Sequence, residues 1–398
     1  MPPSIVGDMI YTDKCLLQTS SRPPIMVQSG QGCYLTDSSG RSYLDAISGI
    51  GVNALGHAHP RIVAALLEQA PLCVHTSPLF RHPYQGLLAE TLCAMSGMAR
   101  VFFTNSGTEA VETALKAVKS RGRSLHPEKT NLVALNNSFH GRTFGSLAIT
   151  GQPKYRRPFE PLSPAVTFVE PNDCVGLANA VSDKTAGIIV EPVLGEGGII
   201  PLENSFLRLA RELAVSSNAL LVADEIQCGL GRTGRYFACE WAGIRPDILV
   251  VAKPLAAGLP LGATLFSEDA AQALPPGTHG TTFGGGPLAC RVALEFLSVL
   301  EEVLPRVGAI AQELRDGLEG LRQKHPVITE IRGKGLMLGV QLSCPGQPFV
   351  ERALERGLLI NCTHETVLRL LPPFILNSGE VGEILRVLDQ VFVSSEVT

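Results

Sequence analysis

The stretch from Ala219 to Gly262 constrains the fold of this chain most. It holds two apolar runs, Leu220-Leu221-Val222-Ala223 and Ile248-Leu249-Val250-Val251-Ala252, each short enough for a fully buried strand and each followed by a charged residue, Asp224 or Lys253. In an open parallel sheet the carboxyl ends of the strands face the ligand crevice, so a carboxylate and an amine there are candidates for chemistry on a shared ligand. A buried structural ion pair between the two is the alternative.

Similar strand endings recur along the chain. From Val101 to Lys119 a short apolar strand leads through a small polar turn into a helix rich in Ala, Glu and Lys. Backbone N–H groups of Ser106, Gly107 and Thr108, with the positive end of the helix dipole, form a site for a phosphate; an ordinary turn capped by Thr108 is the plainer reading. The strand Leu132–Leu135 delivers Asn136 to Thr143 to the same edge, where Phe139 and Arg142 either stack on a planar ligand and bind a carboxylate or pack their own loop. Gly187–Val190 ends in Glu191-Pro192-Val193-Leu194-Gly195-Glu196. Strands alternating with helical patterns such as Phe206–Ser216 are the signature of an α/β sheet. No GxGxxG joins a strand to a helix, which leaves a nicotinamide-binding unit unsupported.

Toward the amino terminus, Tyr34–Asp45 reads as a hairpin and Arg61–Gln69 as a helix; His57 and His59 lack a third ligand nearby and read as loop-packing residues, with no metal expected. Beyond Lys253, Ala289 to Leu304 has helical periodicity, Pro305 is expected to interrupt it, and a second helical stretch runs to about Lys324. Strands follow around Gly333 and Gly335, then a helix Phe349–Arg356, a strand Val367–Leu371 and a closing helix Gly382–Val393.

With 398 residues, 45% of them hydrophobic, the chain can bury a large core and divide into one larger and one smaller domain. A net charge of -4 without runs of like charge argues against nucleic acid or an anionic membrane surface as the main partner. The ten cysteines are scattered without a CxxC pair, as expected of reduced cysteines in a cytoplasmic protein. Met1 to Gln18 lacks a basic region followed by a long apolar one, and no apolar run approaches a membrane span.

A phosphate-ready turn, a loop aromatic, a carboxylate and a lysine at strand ends together have one chemical reading, a pyridoxal 5'-phosphate site. The aldehyde needs a lysine, the pyridine nitrogen a carboxylate to stay protonated, and the phosphate backbone donors. The motifs GRSYLDAISGIGVNALGHAHP, NSGTEA, SFHGRT, EPVLGEGG, ADEIQCGLGRTG, AKPLAAGLPLGA, HGTTFGGGPLA and VLRLLPP, spread over nearly the whole chain, resemble those of the class III, fold type I pyridoxal-phosphate aminotransferases. Within that family the acetylornithine branch is the most similar, with the ornithine branch a near relative.

The resemblance implies a mostly parallel central sheet flanked by helices plus a smaller α+β domain, divided as residues 1–52 joining the small domain, 53–288 binding the cofactor and 289–398 forming the small domain. It implies that Lys253 is the Schiff-base lysine and proton shuttle, Asp224 the partner of the pyridine nitrogen and Gln227 a contact of the ring hydroxyl. Phe139 and Ile226 would pack on the two ring faces, with His140 also in the cofactor site. Ser106, Gly107 and Thr108 would hold the phosphate with Thr282 of the neighbouring subunit, so a homodimer is expected. Arg369 would take the α-carboxylate of 2-oxoglutarate or glutamate, Arg142 the other substrate carboxylate, and Glu196 would switch Arg369 off while the ω-amine N2-acetyl-L-ornithine reacts. Rival donors are ornithine, succinylornithine, succinyldiaminopimelate and 4-aminobutyrate; a glutamate-1-semialdehyde-type aminomutase and a regulatory protein without turnover are readings of another class. Pro254, Ala256-Ala257, Leu194 and Gly286 depart from residues frequent in the family, near the switch and the cofactor entrance.

Overall fold

The computed structural model describes residues 15–19, 22, 23 and 25–393. The reading of Met1 to Gln18 as free of a secretory signal therefore falls almost wholly outside the described residues. At its centre is a seven-stranded sheet whose order is Arg100–Thr104, Gly262–Phe266, Ile248–Val251, Leu220–Asp224, Thr185–Val190, Asn131–Leu135 and Val166–Val169. The five strands from Val166–Val169 to Ile248–Val251 pair in parallel, while Gly262–Phe266 runs antiparallel to both of its neighbours.

Alternation within each strand explains why the sheet is covered on both sides. Leu132, Ile189, Val222, Ile248 and Val250 pack under Ala110, Val111, Ala114 and Val118 of the helix Gly107–Leu125. Their sequence neighbours Val133, Leu135, Ile188 and Leu221 face the opposite way, onto Phe206, Leu207, Ala210 and Ala214 of the helix Asn204–Ser216. Each large side chain so buried contributes roughly 1.5–3 kcal/mol. The register sets Val222 against Ile248 and Asp224 against Val250, so Lys253 emerges three residues later at the same edge as Asp224. The second apolar run stops being strand at Val251, and Lys253 lies in the turn beyond.

A second sheet pairs Ile328–Lys334, Met337–Leu342, Val367–Leu370 and Asn361–Thr363, all antiparallel. A third joins an early and a late segment of the chain: Val27–Gln31, Tyr34–Asp37 and Ser42–Asp45 form a meander whose last strand pairs in parallel with Leu358–Leu359. The expected break at Pro305 does not occur. One helix of 38 residues runs from Pro287 to Lys324 with Pro305 inside it. Proline removes one helical hydrogen bond and crowds the preceding turn, at about 3 kcal/mol. Here its ring is exposed, while Val299, Leu300, Val303, Val307, Ile310 and Ala311 keep a continuous buried stripe on either side of it. Among the described residues no helix is long and apolar enough to cross a membrane.

Candidate active site

Ser106, Gly107, Thr108, Phe139, His140, Arg142, Glu196, Asp224, Ile226, Gln227 and Lys253 all line one cavity of about 400 Å³ at the carboxyl edge of the central sheet. Arg369 is buried beside it and reaches it through Glu196. Thr282 lines a different, smaller hollow with His75 and His82, next to the exposed Phe283.

Each side chain arrives by a local rule. Ser106, in extended conformation, caps the helix Gly107–Leu125 by accepting from Glu109 N (3.3 Å), and the Glu109 carboxylate reaches back to Asn105 N (2.7 Å). The cap is thus Ser106 and not Thr108. The Thr108 hydroxyl instead ties the helix to the following loop, meeting Ser146 Oγ at 2.7 Å and Thr143 Oγ1 at 3.0 Å. Among the described residues no acceptor meets the backbone N–H of Gly107 or Thr108, which sit at the positive end of a 19-residue helix. Gly107 has a steric reason to lack a side chain, since a Cβ there would lie 2.7 Å from Ile226 Cδ1.

Asp224 and Lys253 do not pair. Asp224 Oδ2 meets His140 Nδ1 at 2.7 Å and its Oδ1 accepts from Ile226 N at 3.1 Å. Burial disfavours the charged imidazole of His140, but the Asp224 hydrogen bond and the charges of Asp224 and Glu191 outweigh it and raise its pKa. Among the described residues the His140 Nε2 atom is buried without a partner. Lys253 makes no salt bridge among the described residues, and the part of it left uncovered opens into the cavity. Burial lowers its pKa, against the opposing pull of Glu196, Asp224 and Glu191.

Glu196 Oε1 accepts from Arg369 Nη1 at 2.5 Å. Burial alone would raise the Glu196 pKa, yet the charge and hydrogen bond of Arg369 lower it. Arg369 also donates to Gln227 Oε1 (3.3 Å) and Asn361 Oδ1 (3.1 Å). Gly195 leaves the room that Gln227 needs, because a Cβ there would fall 2.2 Å from Gln227 Oε1. Arg142, by contrast, has no salt bridge among the described residues; its guanidinium lies 3.9 Å from the Tyr155 ring centroid and 5.4 Å from that of Phe139.

One ionisable residue of the cavity lining had no role in the sequence reading. Glu191 is buried, accepts from Phe139 N (2.7 Å) and Gly195 N (3.2 Å), and so links the aromatic loop to the loop of Glu196. Burial pushes its carboxyl up to about 7. The signal was available, since Glu191 directly follows an apolar run just as Asp224 does.

An amine without a carboxylate partner among the described residues, a carboxylate braced by an imidazole, and two N–H groups at a helix start together suit a phosphorylated, ring-bearing aldehyde. Beside the cavity one guanidinium is held by a carboxylate, and in its lining another meets none among the described residues. Residues 17–392 match the family model described as aminotransferase class-III. The chain is 45% identical to an acetylornithine aminotransferase of Methanocaldococcus jannaschii over 94% of this chain and 95% of that protein. Among solved structures it is similar to the ornithine aminotransferase of Toxoplasma gondii, with a TM-score of 0.92, 33% identity and coverage of 96% and 94% of the two chains. It is also similar to an N-acetylornithine aminotransferase of Stenotrophomonas maltophilia, with a TM-score of 0.83, 35% identity and coverage of 94% and 97%. Sequence match, fold and cavity chemistry agree: the chain belongs to the class-III aminotransferases, enzymes that depend on pyridoxal phosphate.

Proposed function

We propose that this enzyme is an ω-aminotransferase acting on N2-acetyl-L-ornithine and 2-oxoglutarate, releasing N-acetyl-L-glutamate 5-semialdehyde and L-glutamate in a step of arginine biosynthesis. The observation that carries this reading is the pairing of Arg369 with Glu196 beside an Arg142 that has no acidic partner among the described residues. A substrate with one carboxylate near the site needs one guanidinium; a dicarboxylate needs two. An acid that masks the second guanidinium and can release it suits an enzyme whose two substrates alternate. An aminomutase, which returns the amine to the same skeleton, has no use for that alternation.

Pyridoxal phosphate, when bound, supplies a carbonyl that accepts the amino group and a ring that draws electrons from the neighbouring carbon. The chain's residues do the rest. Lys253 Nζ would hold the cofactor's carbonyl carbon and would take and return the proton at the reacting carbon of the substrate; burial lowers its pKa, which favours the neutral amine that a base needs. Asp224, oriented by His140, would keep a proton on the ring nitrogen. Gly107 and Thr108 N–H groups, with Ser106, would hold the phosphate; Phe139 and Ile226 would pack on the ring faces and Gln227 would meet the ring hydroxyl. Arg142 binds the α-carboxylate of the amine or the distal carboxylate of 2-oxoglutarate, and Arg369 the α-carboxylate of the latter.

The active unit in this reading is a cytoplasmic homodimer in which Thr282 serves the partner's phosphate. Supporting it, Phe80 and Phe283, 67% and 65% exposed, line the same hollow as Thr282, and Leu79 next to Phe80 is 86% exposed, apolar groups that a partner subunit would cover. Light scattering should give twice the chain mass of 42.4 kDa, and Phe283→Arg should yield monomers that lose cofactor on dialysis; monomeric wild-type protein that retains cofactor would count against the dimer. For the chemistry, Lys253→Ala should abolish the visible band of the bound cofactor as the wild type displays it and lower turnover about a thousandfold or more. Single half-reactions followed by that band should run fastest with N-acetylornithine. Ornithine, succinylornithine, succinyldiaminopimelate or 4-aminobutyrate reacting at least as fast would overturn the donor.

A further inference from the structure

The two arginines are held in opposite ways. Arg369 is buried, with its charge met by Glu196 at 2.5 Å. Arg142 is exposed at the cavity, and among the described residues its side chain makes neither a salt bridge nor a hydrogen bond. What it has is aromatic. Its guanidinium carbon lies 3.9 Å from the centroid of Tyr155 and 5.4 Å from that of Phe139, and the two rings meet edge to face, 6.0 Å apart at 83°.

Tyr155 itself is firmly seated. Pro153 opens the short helix Pro153–Arg156, Tyr155 N donates to Gln152 O (3.1 Å), and Arg156 anchors the next position by lying 4.1 Å from the Phe168 ring centroid and donating to Thr150 O (3.1 Å). Among the described residues the Tyr155 hydroxyl makes no hydrogen bond, so its ring is what the site uses. A second cation, Lys154, lies 5.0 Å from the same centroid, farther than Arg142.

We propose that Tyr155 is a positioning residue for Arg142, holding the guanidinium against an aromatic face so that it meets a substrate carboxylate already oriented and still fully charged. This rests on the reading of Arg142 as a carboxylate site. An acid in place of the ring would hold the side chain equally well, but it would have to be displaced by every substrate carboxylate. A ring attracts the cation without occupying its N–H donors. An unrestrained arginine would instead lose rotamer freedom each time a ligand bound. The contrast also follows the proposed chemistry. Arg369 is needed in one half-reaction and carries a mask; Arg142 is needed in both and is held without one.

The test is calorimetric binding of glutarate, an unreactive dicarboxylate, to the cofactor-loaded enzyme, with KM and kcat for both substrates measured in parallel. Tyr155→Leu should weaken glutarate about tenfold and raise KM for both N-acetylornithine and 2-oxoglutarate by a similar factor with kcat little changed, while Tyr155→Phe should stay within about twofold of wild type. Arg142→Ala is the reference: unchanged glutarate affinity in that variant would defeat the carboxylate-site reading itself. If Arg142→Ala weakens binding and Tyr155→Leu does not, or if Tyr155→Phe is as weak as Tyr155→Leu, the role of the ring is refuted. Should Tyr155→Leu fold poorly, phenylalanine and its trifluorinated analogue at position 155 keep the shape and differ in ring electrostatics. Glutarate affinity should fall on fluorination, and an equal affinity in the two would refute the proposal.

Discussion

At the scale of single residues, Glu196 carries the heaviest consequence. Its carboxylate offsets the charge of a guanidinium that is 1% exposed, and an unpaired charge at such depth is costly. Without it, Arg369 would stand ready for any carboxylate, including that of the amine donor, which would then bind in the wrong orientation. Glu196→Ala should therefore slow the amine half-reaction by about tenfold or more relative to the 2-oxoglutarate half-reaction. Separate single-turnover measurements of the two halves decide it, and equal losses in both would reject the switch. Residue types at strand ends made Asp224 and Lys253 legible in the sequence. Their partners were not. His140 lies 84 residues from Asp224, and Glu196 is 173 from Arg369, separations that only the parallel crossovers and the packing of the second sheet bring to contact distance.

At the scale of elements, periodicity identified most strands of the central sheet because both faces are buried and the runs are almost wholly apolar. It did not identify the helix Pro83–Ser96, where apolar residues are spread around the axis and only Leu88 and Leu92 are fully covered. It also read Pro305 as a stop, when the buried stripe of the helix Pro287–Lys324 runs through it. Local propensity lost there to tertiary packing. Because Pro305 is exposed and its helix is continuous, Pro305→Ala should restore one backbone hydrogen bond without disturbing the core and stabilise the protein by about 1–3 kcal/mol. Urea unfolding of the two proteins measures the difference. No gain, or a loss, would mean that the helix is bent at this position for a reason that packing around Pro305 does not reveal.

For the molecule as a whole, the alternation of strands and helices announced the α/β class, yet nothing local foretold that Ser42–Asp45 pairs with Leu358–Leu359 across more than three hundred residues. Nor did it foretell how many carboxylates the assembled core encloses. Glu225, next to Asp224, is 1% exposed and accepts from Ala238 N and Cys239 N (2.8 Å), and burial raises its pKa from 4.5 to about 7. An acid with a higher pKa in the folded state favours folding only while it is protonated there. Between pH 4.5 and 7 the folded chain holds a proton that the unfolded chain has released, so stability falls as pH rises, by roughly 1.4 kcal/mol per unit and on the order of 3 kcal/mol in all. Glutamine at 225 does not titrate and offers one acceptor to the two N–H groups. Glu225→Gln should therefore be less stable than wild type at pH 5, and the gap should shrink by on the order of 3 kcal/mol by pH 8 as the wild type gains a buried negative charge. Urea unfolding across this range at fixed cofactor concentration provides the measurement; a gap that stayed constant, or widened toward pH 8, would show that Glu225 is ionised in the folded protein throughout.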